Sequence, residues 1–428
     1  MMDSLNQGVR STANPFKVLI AGGCYSGLAA AINLLDKCDS ALDARIPVSI
    51  TIVDERSGFF HVIGSPLALS SKEYADKCWV DFADVKLLQR PDVRFVHGRV
   101  QKVDPATRTA TYQESSSDKQ PTEEKYDYFI AATGLRRAWP VVPQSLTRKT
   151  YLREAGQHID AVRGSRHPVL VVGGGAVGIE MAAELKMVAP DVRVTLAHSR
   201  DKLLSAEPLP DDVKDRALEL VREAGVETLM NHRLLSSLPL KPEGADSGFE
   251  VEFTNGHKMT ASVVIEAISR SVPSTDYLPA AALDTDTGLV NIRPTMQIQL
   301  SEESELLPNA DRHFAVGDLI HWSGIKRCGA AMHEGRFAGL NIHQLMLQEL
   351  SSFSSSEKKH EPVFQELAEI PPMIGLAVGK MGLSYGPDEG MKSGEDVLKL
   401  FFGDDLGFKS ESPFPFPPFQ PSSDMDGI

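Results

Sequence analysis

The sequence is poor in cysteine, in long apolar runs and in positive charge. Its 428 residues include 4 cysteines, Cys24, Cys38, Cys78 and Cys328. They are scattered, with no C-x-x-C or C-x-x-x-x-C pair, which excludes a disulfide framework, a zinc cluster and a redox dithiol. A reducing compartment is the default for such a chain. No apolar run approaches the roughly 18 residues that span a bilayer, so no integral membrane segment is expected. Lysine and arginine number 44 against 58 aspartates and glutamates, a net charge of −14. That excess of acid argues against nucleic acid and anionic membrane surfaces as partners, because both are polyanions. The opening stretch, MMDSLNQGVRSTANPF, lacks a signal-peptide apolar core and a myristoylation start. Its one basic residue, Arg10, makes a weak transit peptide, so a cytoplasmic location is expected and the case for mitochondrial association is weak.

What is present is ordinary for a globular chain: 42% hydrophobic and 24% charged residues, with length for two or three domains. Residues 18–28 read VLIAGGCYSGL. An apolar run leads into a glycine turn, and a small-residue helix from about 26 to 35 leads out. This is the layout of a dinucleotide fingerprint, G-x-G-x-x-G, with Gly22 first and Gly27 last. Gly23, Tyr25 and Ser26 complete the turn, and the middle glycine is replaced by Cys24. A Cβ there narrows the gap through which a pyrophosphate passes. The expectation is that residue 24 keeps an ordinary helical backbone with its thiol turned aside, so the turn still binds. A helix N-terminus lowers a thiol pKa, but a bound diphosphate opposes that and shields the sulfur, so Cys24 reads as structural. Asp54 closes the next strand, VSITIVDE, and it or Glu55 can take a ribose hydroxyl.

The pattern then restarts. HPVLVVGGGAVGIEMAAEL is strand, glycine turn and helix, with Gly173, Gly175 and Gly178 matching the fingerprint in full. The following strand ends in His198, Ser199 and Arg200, where an NAD site usually carries an acid. The missing acid and added cation favour a 2′-phosphate, hence NADPH over NADH; the plain alternative is a solvated Arg200. A third motif, HFAVGD, sets Gly317 and Asp318 at a strand end before a helix of about 330–350. A helix over PDDVKDRALELVREAG is expected to be capped by Asp211 or Asp212. Asn255-Gly256 marks a hairpin, 113–125 a solvated hairpin loop, and 351–361 a linker. The Pro-rich tail, 409–428, reads as disordered. The apolar stretch 370–383 is a candidate homodimer interface, and His61 reads as a packed loop residue.

The order of these motifs is recognisable. The first turn with Asp54, AATG at 131–134, GGGAVG at 173–178 and AVGD at 315–318 resembles the two-dinucleotide-domain flavoproteins. These include the pyridine nucleotide–disulfide oxidoreductases and type II NADH dehydrogenases. The nearest likeness is to the apoptosis-inducing-factor-like branch with the ferroptosis-suppressor NAD(P)H–quinone reductases. It covers about 16–350, and more loosely MIGLAVGKMGLSYGPDEG.

The resemblance implies an α/β fold with two Rossmann-like dinucleotide-binding domains, the NAD(P) domain inserted in the FAD domain, and a small C-terminal α+β region. The expected divisions are 16–150 and 276–350 for FAD, 151–275 for NAD(P), and 362–408 for the C-terminal region. It implies FAD at Gly22, Gly27, Asp54, Gly134, Gly317 and Asp318, and NAD(P)H at Gly173, Gly175 and Gly178. Glu180 matches a glutamate beside the nicotinamide, and Lys326 a lysine near the flavin. The implied activity is an FAD-dependent oxidoreductase passing hydride from NAD(P)H to FAD and then to a quinone or small organic acceptor. A tailoring step in specialised-metabolite biosynthesis is a variant of it. The competing reading is a flavin-deficient interaction protein. Its support is Cys24 and the stretch EAISRSVPST, where Ile268-Ser269 stand in place of a second Thr-Gly turn. No amphipathic helix with a basic face follows, which weakens membrane attachment.

Overall fold

The computed structural model describes residues 10–40, 45–115, 120–240, 248–268, 272–299, 309–353, 359–403 and 406. The tail read as disordered and Ser269 lie outside the described residues.

Strand β1 (Phe16–Ala21) opens the chain and runs into helix α1 (Tyr25–Asp39). Leu28, Ala31, Leu34, Leu35 and Cys38 recur at helical spacing and are buried, so one face of α1 is committed to the core. Burying a leucine in this way stabilises by roughly 2 kcal/mol. Then follow β2 (Val48–Asp54), β3 (Val93–Asp104), β4 (Thr109–Glu114), β5 (Thr122–Lys125) and β6 (Tyr128–Ala131). The segment 113–125, read as a hairpin loop, is strand at both ends: 113–114 close β4 and 122–125 form β5, which pairs antiparallel with β4.

Helix α2 (Arg148–Arg163) precedes a second strand–helix series: β7 (Val169–Val172), α3 (Ala176–Val188), β8 (Val194–Ala197), α4 (Asp211–Glu223) and β9 (Glu227–Leu229). A hairpin of β10 (Phe249–Phe253) and β11 (Lys258–Ala261) turns at Gly256 and leads to β12 (Val263–Glu266). The cap of α4 departs from expectation. Pro210 is the N-cap, and Asp211 and Asp212 occupy the first turn, where their charge complements the helix dipole.

The chain then returns to the first sheet as β13 (His313–Ala315) and continues into α5 (Cys328–Phe353). The first sheet has the order β13-β6-β1-β2-β3-β4-β5, parallel from β13 to β3. The second has the order β9-β8-β7-β12 and is parallel throughout. Both are Rossmann-like, and the second is inserted between strands of the first. Helices α1 and α5 lie side by side because Gly335 has no Cβ; one there would sit 2.2 Å from the Ser26 carbonyl oxygen. Both N-termini are thereby brought to one place.

The C-terminal region is an antiparallel sheet of β14 (Ile374–Val378), β15 (Met381–Gly386) and β16 (Gly390–Gly394), followed by α6 (Glu395–Phe402). Ile374, Leu376, Val378 and Leu383 join the core of the second sheet. This corrects the reading of 370–383 as a homodimer interface: its buried apolar side chains are spent inside the chain. No helix among the described residues is long and apolar enough to cross a membrane.

Candidate dinucleotide and electron-transfer site

The first glycine turn is built from backbone contacts. Gly22 has φ +104, and a Cβ there would lie 2.4 Å from the Ala132 carbonyl oxygen. A Cβ on Gly27 would lie 1.9 Å from the Gly22 oxygen. The Gly23 amide donates to Asp54 Oδ2 at 2.7 Å, and Arg56 N donates to Oδ1 at 2.8 Å. Asp54 therefore fastens the turn, with lone pairs remaining for a ribose hydroxyl.

Cys24 is the N-cap of α1, with φ −97 and ψ −156. This corrects the expected helical backbone at 24: the residue is extended, because a capping residue stands outside the helical φ/ψ region. Negative φ makes no demand for glycine here. The thiol does turn aside, donating weakly to the Phe60 carbonyl at 3.8 Å. Burial, the largest cause, pushes its pKa up to about 12. A thiol held protonated in this way favours a packing role over a reactive one.

The second turn repeats this construction. Gly173 has φ +123, with a Cβ position 2.5 Å from the Ala267 oxygen. The Cβ position of Gly178 is 1.8 Å from the Gly173 oxygen. Gly175 is the N-cap of α3 at φ −80 and ψ 178, and a Cβ there would meet nothing within 4 Å. So the cap position is open in the second turn and occupied by a small side chain in the first. Each helix start leaves amides without intrahelical acceptors, a ready cradle for phosphate oxygens. The residues present at each turn therefore fit the pyrophosphate of a dinucleotide.

His198 does at β8 what Asp54 does at β2. Gly174 N donates to its Nδ1 at 3.0 Å, so the ring proton lies on Nε2, which donates to Ser205 Oγ at 2.9 Å. Burial first, then Arg200 and Arg233, hold the imidazole below its usual pKa. Arg200 is exposed and donates through Nη1 to the Ser205 carbonyl at 3.0 Å.

Tyr25 and Ser26 are buried. Tyr25 points inward, its hydroxyl donating to His61 Nδ1 at 3.1 Å, while His61 Nε2 donates to the Leu406 carbonyl at 3.1 Å. His61 is 0% exposed, and burial lowers its pKa to about 4. The imidazole is neutral and packed, as read.

The third motif meets the first turn. Gly317, at φ +86, leaves room for the Ser26 hydroxyl, 2.7 Å from where a Cβ would be. Its amide donates to Glu334 Oε2 at 2.7 Å. Asp318 pairs with Arg137 at 2.7 Å. Lys326 Nζ donates to the Ile320 carbonyl at 2.8 Å, and burial holds its pKa below the usual lysine range. Asp318, Trp322, Ile325, Lys326, Glu334 and Ile370 are among the residues that line one cleft. Burial pushes Glu334 up to about 7.

Glu180 is not among the cleft's lining residues. Its Oε1 accepts from Ala377 N of β14 at 3.2 Å, and burial pushes its pKa up to about 8. Glu184, one helical turn on, is 1% exposed with Oε2 unpartnered, and burial pushes it up to about 8 as well. Gly134, at φ +63, closes β6; its carbonyl accepts from Ser274 N at 3.0 Å. Thr133 Oγ1 donates to the Ser274 carbonyl at 2.6 Å. Residues 135–136 pair with 272–273, so the two halves are stitched beyond the departed turn at 267–269.

Sequence reasoning missed Arg137, Glu334 and Trp322. Arg137 follows the AATG turn closely, the one available signal. Glu334 sits on α5 in HEGRFAG and carries no motif. Among the described residues no group of His, Cys, Asp and Glu could hold a metal ion.

A family profile described as "Pyridine nucleotide-disulphide oxidoreductase" matches residues 7–335. Oxidoreductase OXR1 of Ajellomyces capsulatus is 47% identical over 416 residues, covering 93% of this chain and 87% of that protein. Ferroptosis suppressor protein 1 of Taeniopygia guttata is 24% identical, covering 77% and 80% of the two chains. Among solved structures, NDH2 from Plasmodium falciparum superposes with TM-score 0.66 at 11% identity, covering 91% of this chain and 94% of its own.

Proposed function

We infer the reaction from one premise: the chain belongs to the pyridine nucleotide-disulphide oxidoreductase family and is an FAD-dependent NAD(P)H oxidoreductase. When bound, FAD supplies the two-electron chemistry between the nicotinamide and the acceptor. The finer reading is that the acceptor is a quinone or a similar small, flat organic oxidant. The observation that supports it is the placement of Lys326 beside Trp322, Ile325 and Ile370 around a cleft of only about 20 Å³, so the acceptor would meet the exposed Lys326 at the surface of the cleft and not inside it. An ammonium in such a place stabilises negative charge developing on an acceptor oxygen. Arg137 holds Asp318 at the cleft mouth, and Glu334 fixes the Gly317 turn.

Reducing a quinone takes two electrons and two protons, while NAD(P)H gives one hydride. One further proton is therefore needed. Burial raises the pKa of Glu180 to about 8 and its Oε1 accepts the Ala377 amide, but Glu180 lies outside the cleft at Lys326, so this proton is assigned to no residue. At the nucleotide end, Arg200 and Arg233 beside a neutral His198 favour a 2′-phosphate, so NADPH is the expected donor.

The test separates the half-reactions. Lys326→Met should lower turnover with a benzoquinone by on the order of 10–100-fold, while anaerobic reduction of the bound flavin by NADPH changes little. A loss confined to flavin reduction would remove Lys326 from the acceptor side. An enzyme that turns over with oxygen yet ignores every quinone offered would remove the quinone.

A further inference from the structure

A second cleft lies on the far end of the α1–α5 pair, outside the residues that serve the dinucleotides. It has a volume of about 400 Å³ and is lined by Lys37, Arg336, Leu340, His343, Gln344, Val363 and Gln365. That volume is within the range of small-molecule sites. Lys37 comes from the last turn of α1; Arg336, His343 and Gln344 come from α5. The segment 359–367 closes the third side. Asn341 clamps it, donating to the Gln365 carbonyl at 2.8 Å and accepting from Gln365 N at 2.7 Å.

The lining has donors in excess and no carboxylate, in a chain whose net charge is −14. Among the described residues, neither Lys37 nor Arg336 has an ion-pair or hydrogen-bond partner. His343 is 8% exposed, and its Nε2 is buried without any partner. A buried polar atom left unpaired is unfavourable, a cost that a bound ligand would remove. Gln344 Oε1 already accepts from His360 Nε2 at 2.9 Å and from Val363 N at 3.2 Å. Its oxygen is thereby committed and its NH₂ end remains as a donor.

We propose that this cleft is a binding site for a small phosphate-bearing molecule, held by Lys37, Arg336, His343 and the Gln344 amide. A guanidinium fork, an ammonium, an imidazole and an amide converging without a carboxylate match the several acceptor oxygens of a phosphate. The groups facing His343 are cationic or titratable to cationic: Lys37 on α1, Arg336 on its own helix and His360 on the clamped segment. Burial first, then Lys37 and His360, keep its imidazole below the usual pKa. A bound dianion reverses the last two influences, so binding raises the pKa of His343.

The experiment uses the full chain with FAD bound and its histidine rings isotope-labelled for NMR. The His343 signal is assigned by its loss in His343→Gln. Inorganic phosphate and then pyrophosphate are titrated at constant ionic strength against chloride. The expected result is a saturable shift of the His343 signal and a rise in its pKa. Affinity should weaken by at least about tenfold in Lys37→Gln and in Arg336→Gln. Flavin reduction by NADPH should be unchanged in both variants, showing them folded. An unsaturating shift, the same shift with chloride, or equal affinity in the variants overturns the site. Tighter binding of citrate than of either phosphate overturns the ligand class.

Discussion

The two glycine turns are the same device made twice. In both, the first glycine holds positive φ against a carbonyl from the neighbouring strand, Ala132 in one and Ala267 in the other. In both, the last glycine packs its bare Cα on the oxygen of the first. In both, the second amide is tied to the side chain ending the next strand, Asp54 or His198. The difference falls at the helix cap, Cys24 against Gly175, where the backbone is extended and φ negative in each. Glycine is thus obligatory where φ is positive or a Cβ would strike backbone, and dispensable at the cap. The motif is a set of unequal positions, and the substituted one is the most tolerant.

The largest effects should come from the last glycine of each turn. Gly27→Ala drives a Cβ into the Gly22 carbonyl and should yield protein without flavin. Gly178→Ala makes the same clash at Gly173, yet should leave the protein yellow, with NADPH reducing it on the order of a hundredfold more slowly. The absorbance spectrum and stopped-flow reduction of the two variants check this, and equal flavin loss in both would show that the turns are not independent. Next comes the tie. His198→Asp gives the second turn the acid of the first, keeps an acceptor for Gly174 N, and repels a 2′-phosphate. The kcat/KM ratio of NADPH to NADH should fall by about tenfold or more.

A smaller effect concerns the helices behind the turns. Glu180 and Glu184 hold in α3 the places that Ala29 and Asn33 hold in α1. Burial raises both carboxyls to about 8, above the ordinary glutamate value. The folded state therefore binds more protons than the unfolded between about pH 4.5 and 8. Their stabilisation is complete below that window and is lost as pH rises through it. Glu184→Gln should reduce the fall in unfolding free energy between pH 6 and 8 by roughly 2 kcal/mol, read from urea melts. The smallest effect should be Cys24→Gly, which makes the turns alike. Flavin affinity should stay within about threefold and stability within about 1 kcal/mol, by fluorescence titration and thermal melts.

Much of this could be read from the residues. The strand–glycine–helix units, Asp54, the hairpin at Gly256 and the packed His61 follow from periodicity, turn chemistry and residue type. What escaped was tertiary. Glu334 acts on Gly317 across a helix that carries no local signal. The apolar stretch 370–383 resembled an exposed face because its partner, α3, is distant in sequence. The extended backbone at Cys24 escaped because the expectation treated it as already helical, whereas capping residues stand just outside.

The most direct test of the account is the visible spectrum of the purified chain before and after NADPH is added without oxygen. Flavin bands that bleach on NADPH are predicted, meaning that Cys24 is tolerated and both turns are occupied in one electron path. A protein that stays colourless after incubation with FAD would contradict the claim that the cap position tolerates a side chain.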